Sequence, residues 1–328
     1  MSTSPEASRT PEMESLRVTH EYYSVAYEAF CGSWRAKMDM YNSWADGVFS
    51  KKGVDLLHQA FPDVEELKIL GVGSGAGEVD CCLLQRLALS FPVILNTVVD
   101  PSSEMTSRYN DLVQQKRSSL SGVRCSFVNA LVQDFLAELG ASETGGQSRT
   151  RFHFIHAIHS LYYMDDLERA ISELYWVLEE GGIMLISVMP DDHTLRRLWK
   201  RFPFIGSEQA NGPKLNNWKS SDVIEVLSKL NIPYSCFTRE WRPDMSSCLD
   251  PSSDTGNKIL DFITHTIHFR DTAPAQLQED VLSFLRSICP SPQSPKKVDN
   301  DAASQECIEH ENCIAFIRDF VSIFVQKP

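Results

Sequence analysis

LKILGVGSGAGEVD, residues 67–80, runs from a short apolar stretch through four glycines at alternate positions (71, 73, 75 and 77) into a polar segment with helical character. Glycine lets a chain turn sharply and lets its backbone approach a ligand, and the helix that follows aims its first N–H groups at that ligand. On both sides of this stretch the alternation of strand and helix continues. LKILGVG reads as a buried strand and 78–90 as a helix. VILNTVVD (93–100) is a second strand, and SSEMTSRYNDLVQQKR (102–117) a helix with Ser102 or Ser103 at its N-cap. VRCSFVN (123–129) and FHFIHAI (152–158) are the third and fourth strands. DLERAISELYWVLEE (166–180) is an amphipathic helix predicted to stop at Gly181-Gly182, and IMLISVM (183–189) is the fifth strand. Repeated β-α-β units of this length imply an α/β fold with a mainly parallel sheet and helices on both faces.

Toward the C-terminus, TLRRLWKRF (194–202) and SSDVIEVLSKL (220–230) read as helices, YSCFTREW (234–241) as a strand, and NKILDFITHTI (257–267) as a helix. NCIAFIRDFVSIFVQ (312–326) reads as an apolar terminal strand, which brings the sheet to seven. SPQSPKKVDNDAASQE (291–306) has the composition of a surface loop. Residues 1–20 are expected to be disordered, and 21–63 to form an aromatic helical lid in which Tyr23, Tyr27 and Phe30 recur at helical spacing. Residues 64–328 are expected to form the core, with insertions near 190–216 and 243–306 building a smaller substrate-binding lobe.

A net charge of −13 argues against a nucleic-acid partner, because phosphate binding needs a surplus of Lys and Arg. The N-terminus lacks the apolar core of a signal peptide, and no stretch approaches the roughly 18–20 apolar residues of a membrane span. Nine scattered cysteines without a C-x-x-C pair fit reduced thiols, with Cys81 and Cys82 packing in a helix. A cytoplasmic monomer without a membrane partner is expected.

The glycines support two readings. Gly71, Gly73 and Ala76 fit the dinucleotide spacing G-x-G-x-x-A, which would serve a nicotinamide-dependent oxidoreductase. Gly73, Gly75 and Gly77 fit the G-x-G-x-G turn of S-adenosylmethionine-dependent methyltransferases. Asp100, ending the second strand, could accept the ribose hydroxyls of either cofactor. The segment 152–188, with strand, aromatic loop, helix, Gly-Gly and strand in succession, resembles class I methyltransferases and favours methyl transfer.

His153, His156 and His159 tempt toward a metal site. On a strand, 153 and 159 share one face and 156 lies on the other, and their spacing is no zinc pattern; no metal is expected. His153 and His156 are read as structural. His159 stands at the strand's C-terminal end, where open α/β sheets place ligand contacts, and is a candidate substrate residue. His265 and His268 are read as surface or satisfied helix residues.

LKILGVGSGAGEVD, VVDPSSE, FIHAIHSLYYMDD, LRRLWKRF, LDFITHTIHFRDTAP and NCIAFI, taken in order, resemble the histamine N-methyltransferase family over nearly the whole chain from about residue 20. The resemblance implies a class I, Rossmann-like methyltransferase fold with S-adenosyl-L-methionine as cofactor. It implies that Gly73, Gly75 and Gly77 hold the cofactor together with Asp100, where the family has Glu. Met105, in place of a family glutamine, and Ile158 would lie beside it. Tyr162, Tyr163, Trp199 and Phe262 would wall the substrate pocket, and Asn312 would hydrogen-bond substrate; Tyr23 and Tyr27, from the aromatic lid, are further candidate substrate residues.

The departures are informative. His159 replaces a substrate-binding glutamine, and the family's substrate-binding glutamate has no clear counterpart; Tyr41 aligns with it, and Asp39 is the nearest acid. An unpaired buried polar group costs about 1–3 kcal/mol, so rebuilt polar positions point to a different imidazole substrate. Carnosine, larger than histamine, is favoured, with histamine as the alternative. A non-catalytic binding protein on the same fold is the third reading.

Overall fold

Leu67–Val72 forms β1, in which every residue except Lys68 is buried, as expected for a strand covered on both faces. The computed structural model describes residues 13–16, 20–30, 34–143, 150–202, 218–241, 245–287 and 318–328. The chain divides into two compact units. The larger comprises Arg35–Asp191, Leu215–Arg239 and Asp319–Pro328; the smaller comprises Met1–Trp34, Asp192–Lys214 and Glu240–Arg318. The insertions expected near 190–216 and 243–306 fall largely within the smaller unit, and the stretch 21–63 is shared between the two. Asn312 and the 291–306 loop lie outside the described residues, as do most of residues 1–20.

Six more strands join β1: β2 (Ile94–Val99), β3 (Val123–Val128), β4 (Phe152–Ile158), β5 (Leu178–Val188), β6 (Tyr234–Trp241) and β7 (Arg318–Gln326). Their order is β3-β2-β1-β4-β5-β7-β6. β1 to β5 pair in parallel, and β7 runs antiparallel to β5. This is the mainly parallel seven-stranded sheet expected from the sequence. The first two helices are α1 (His20–Phe30) and α2 (Trp34–Trp44). The next are α3 (Asp55–Ala60), α4 (Glu78–Leu87), α5 (Ser103–Gln115), α6 (Val132–Glu143) and α7 (Leu167–Val177). Then follow α8 (Thr194–Arg201), α9 (Ser220–Lys229), α10 (Asp254–Thr264), α11 (Phe269–Thr272) and α12 (Ala275–Ser287).

Alternation along the central strands divides two cores. Met184, Ile186 and Val188 of β5 join Val321, Ile323 and Val325 of β7 on one face, where α7 and α9 pack. Ile183 and Leu185 join Phe320 and Phe324 on the other, with residues of α4, α5 and the segment 41–57.

Two sequence expectations are corrected. The helix predicted over 166–180 ends at Val177, and Leu178 already belongs to β5. Gly181 and Gly182 are a bend inside that strand rather than a helix cap. The Gly181 N–H donates to the Lys327 carbonyl and the Lys327 N–H to that of Gly182, both at 2.9 Å, while the β4–β5 register shifts between Phe152 and Phe154. Within the stretch 21–63, expected to be helical, residues 51–60 are the end of a longer helical run. Ala45–Val54 is wound in the wider i→i+5 form, which closes where the Asp55 N–H donates to the Ser50 carbonyl.

In the smaller unit, α1 lies on α10. Ala26 and Phe30 are buried there with Ile259 and Ile263, and Leu198 of α8 and Val281 and Leu285 of α12 complete that core.

Candidate active site

In the order β3-β2-β1-β4-β5 the direction of strand addition reverses between β1 and β4, so a crevice opens at their carboxyl ends. The glycine turn stands there. Gly73, Gly75 and Gly77 have φ of 61°, 56° and 79°, the left-handed region that glycine adopts at no steric cost. Gly77 caps α4. A Cβ on Gly77 would lie 2.1 Å from the Tyr109 ring, and one on Gly73 2.5 Å from Ser160 Cβ, whereas one on Gly75 would meet nothing within 4 Å. Gly75 is thus glycine for its backbone angle and presents a bare, open face.

Asp100 lies beside that face and is 7% exposed. Its Oδ2 accepts the Gly75 N–H and its Oδ1 the Ser102 N–H, both at 2.9 Å. Each oxygen keeps a further lone pair for a diol. Ser102 caps α5 by accepting the Met105 N–H, which fixes half-buried Met105 in the first turn. The Asn129 amide, from the end of β3, donates to the Asp100 carbonyl and to Thr106 Oγ1. An open glycine turn beside a fixed carboxylate fits an adenosyl cofactor.

At the end of β4, Ile158 is half-buried and His159 takes φ 54°, uncommon outside glycine and a pointer to function. Its N–H donates to the Ser187 carbonyl at 2.9 Å. Its Nδ1 lies 3.4 Å from Tyr162 Oη, which accepts the Met189 N–H at 2.6 Å. The His159 and Tyr162 rings are near-parallel with centroids 6.3 Å apart. Phe320 meets His159 edge-on at 6.2 Å and stacks with Tyr41 at 5.8 Å. Tyr41 is therefore a buried core ring, Asp39 is exposed, and Tyr163 is 54% exposed while Tyr162 is buried.

The other two strand histidines do not converge with His159. His153 Nδ1 accepts the Lys68 N–H at 2.8 Å, a structural bond. His156 faces Asp80 beneath the glycine turn. Among the described residues no His, Cys, Asp and Glu group could hold a metal ion.

In the smaller unit, Tyr23 and Tyr27 stack at 6.3 Å, and each tilts against Phe262, which also stacks on Phe30 at 4.4 Å. Trp199 donates its indole N–H to the Ile263 carbonyl. His265 corrects the sequence reading: it is neither a surface nor a helix residue, but a buried left-handed cap that ends α10. Its ring lies 5.2 Å from Trp199 and 5.8 Å from Phe262. Sequence reasoning also missed Phe320, although the alternation Phe320, Ser322, Phe324 on the terminal strand signals one shared face.

Residues 41–228, more than half of the chain, match the family described as Methyltransferase domain. The chain belongs to this methyltransferase family. S-adenosylmethionine is its methyl donor, and the nicotinamide reading of the glycines gives way. The chain is 29% identical over 223 residues to histamine N-methyltransferase of Mus musculus, covering 67% of this chain and 73% of that protein. With the Bos taurus enzyme of the same name the identity is 26% over 280 residues, covering 84% and 90%. Carnosine N-methyltransferase 2 of Gallus gallus is 28% identical over 221 residues, covering 67% and 66%. No helix among the described residues is long and apolar enough to cross a membrane.

Proposed function

We propose that this methyltransferase transfers a methyl group to a ring nitrogen of a small imidazole compound, with carnosine favoured over histamine. The observation that carries the substrate reading is His159. A histidine in a left-handed conformation at the end of β4, beside the Tyr162 hydroxyl and against Phe320, stands where the resemblance has a substrate-binding glutamine. A changed hydrogen-bonding group at a pinned position alters which ligand is satisfied, because a ligand that leaves it unpaired is rejected.

The bound cofactor supplies a methyl group on a sulfonium. Gly73, Gly75 and Gly77 would receive it, Asp100 would accept its ribose hydroxyls, and Met105 and Ile158 would lie beside it. His159, whose ring is set by Tyr162, holds one nitrogen of the substrate ring so that the other is presented for transfer. A histidine-like imidazole of pKa about 6.5 is mostly neutral at pH 7, so its free nitrogen needs no strong base. Positioning and exclusion of water supply the catalysis. Trp199, Phe262 and Asn312 are assigned to the substrate on the resemblance alone, and Tyr23 and Tyr27 on the aromatic spacing of the lid.

The test is incubation with methyl-labelled S-adenosylmethionine and either carnosine or histamine. Preference for carnosine in kcat/KM supports the reading. Preference for histamine, which the names of the Mus musculus and Bos taurus relatives favour, means that the changed polar positions are tolerated.

A further inference from the structure

Beneath the glycine turn lies a group of buried polar side chains that cofactor binding and methyl transfer, as proposed, do not use. His156 is the register partner of Gly71 across β4 and β1. A Cβ on Gly71 would sit 2.6 Å from Ser74 Oγ and 3.0 Å from His156 Cε1, so hydroxyl and imidazole meet over the glycine. His156 Nε2 lies 3.6 Å from Asp80 Oδ2, with side chains 2% and 3% exposed. Asp80 is in the first turn of α4, where the helix dipole favours a carboxylate. Fully buried Tyr109 accepts the Asn96 amide at 3.2 Å and carries the ring that a Cβ on Gly77 would strike; burial first, and then the nearby Asp80 charge, keep its hydroxyl protonated. Both ends of the turn therefore rest on buried polar side chains, His156 facing Asp80 at one end and Tyr109 at the other. A site selected only for stability would be apolar here, because Asp80 Oδ2 and Ser74 Oγ have no hydrogen-bond partner. Buried polar networks instead fix one geometry.

We propose that His156, Asp80 and Tyr109 are positioning residues that hold the glycine turn in its cofactor-receiving conformation and so set the affinity for the adenosyl cofactor. This rests on the reading that the turn receives that cofactor. The test is titration calorimetry of S-adenosylhomocysteine with Asp80→Asn, which keeps the shape, and Tyr109→Phe, which keeps the ring against Gly77. Each variant raises Kd about tenfold or more, as expected for loss of one buried polar interaction. KM for the imidazole substrate, and kcat at saturating cofactor, stay at the unaltered values. Leu174→Ala, in the core on the other face of the sheet, lowers the melting temperature but leaves Kd unchanged. Unchanged Kd in the folded variants overturns the proposal; should Asp80→Asn not fold, Tyr109→Phe alone decides. If the unaltered protein binds no S-adenosylhomocysteine, it is the cofactor reading that fails.

Discussion

His159, Gly75 and Gly77 show how much a single backbone angle carries. His159→Ala removes the ring beside Tyr162 without touching the turn. It should lower kcat/KM for the imidazole substrate about tenfold or more, the value of a buried hydrogen bond, while cofactor Kd stays near normal. Steady-state kinetics with calorimetry checks this, and unchanged kcat/KM would take His159 out of the site. At Gly75, alanine meets no protein atom and bears only the left-handed angle, which costs about 1–2 kcal/mol. Gly75→Ala should therefore fold with a small loss of melting temperature yet bind cofactor poorly. Gly77→Ala carries the same angle and also drives a methyl into the Tyr109 ring, adding about 1–3 kcal/mol of overpacking. Melting temperatures should fall in that order, and equal losses would contradict the geometry.

Among the elements, β7 pairs with β5 and delivers Phe320 to His159. Ile323 of β7 is fully buried and in register with Ile186, so Ile323→Ala should cost about 2–5 kcal/mol in denaturant unfolding. Its neighbour behaves in the opposite way. Ser322 is in register with Ser187, and both hydroxyls are buried without a partner. Because such a group costs about 1–3 kcal/mol, Ser322→Ala should leave stability unchanged or raise it; a clear loss would reveal a partner for that hydroxyl. At the end of β5, Asp191 fastens the point where the chain leaves and re-enters the larger unit. Partial burial pushes its carboxyl upward, but hydrogen bonds from Ser221, Lys219 and Ser220 outweigh that and hold it well below the usual range.

For the whole molecule, stability should depend on pH through buried His156 and half-buried His153 of β4. Burial pushes both His153 and His156 below the ordinary histidine value, opposed by Glu179 at the first and Asp80 at the second. Below about pH 6.5 the unfolded chain takes up protons that the folded chain does not. Their contribution is thus complete above that pH and is lost as pH falls, by up to about 1.4 kcal/mol per pH unit for each. Melting temperature should drop between pH 7.5 and 5.5, and His156→Gln should flatten the slope. A rise on acidification would contradict the assignment.

The order of the seven strands, the helices that became α4, α5, α7 and α9, the glycine turn, a cap at Ser102 or Ser103 and the candidacy of Asp100 and His159 are legible in the sequence, whereas α6 and α12 are not. They depend on short-range periodicity, on glycine's freedom at positive φ, and on rules that relate strand ends to ligands. Tertiary structure decided the rest, because the deciding partners are remote in sequence. Gly181-Gly182 reads locally as a helix cap and became a strand bend once Lys327, near the end of the chain, paired with it. Tyr41 looked like a possible substrate residue and became core against Phe320. His265 looked like one helix residue among others, yet it ends α10 in a left-handed turn between Trp199 and Phe262. Local pattern reports which face a residue takes, whereas only the folded chain determines which remote side chain meets it there.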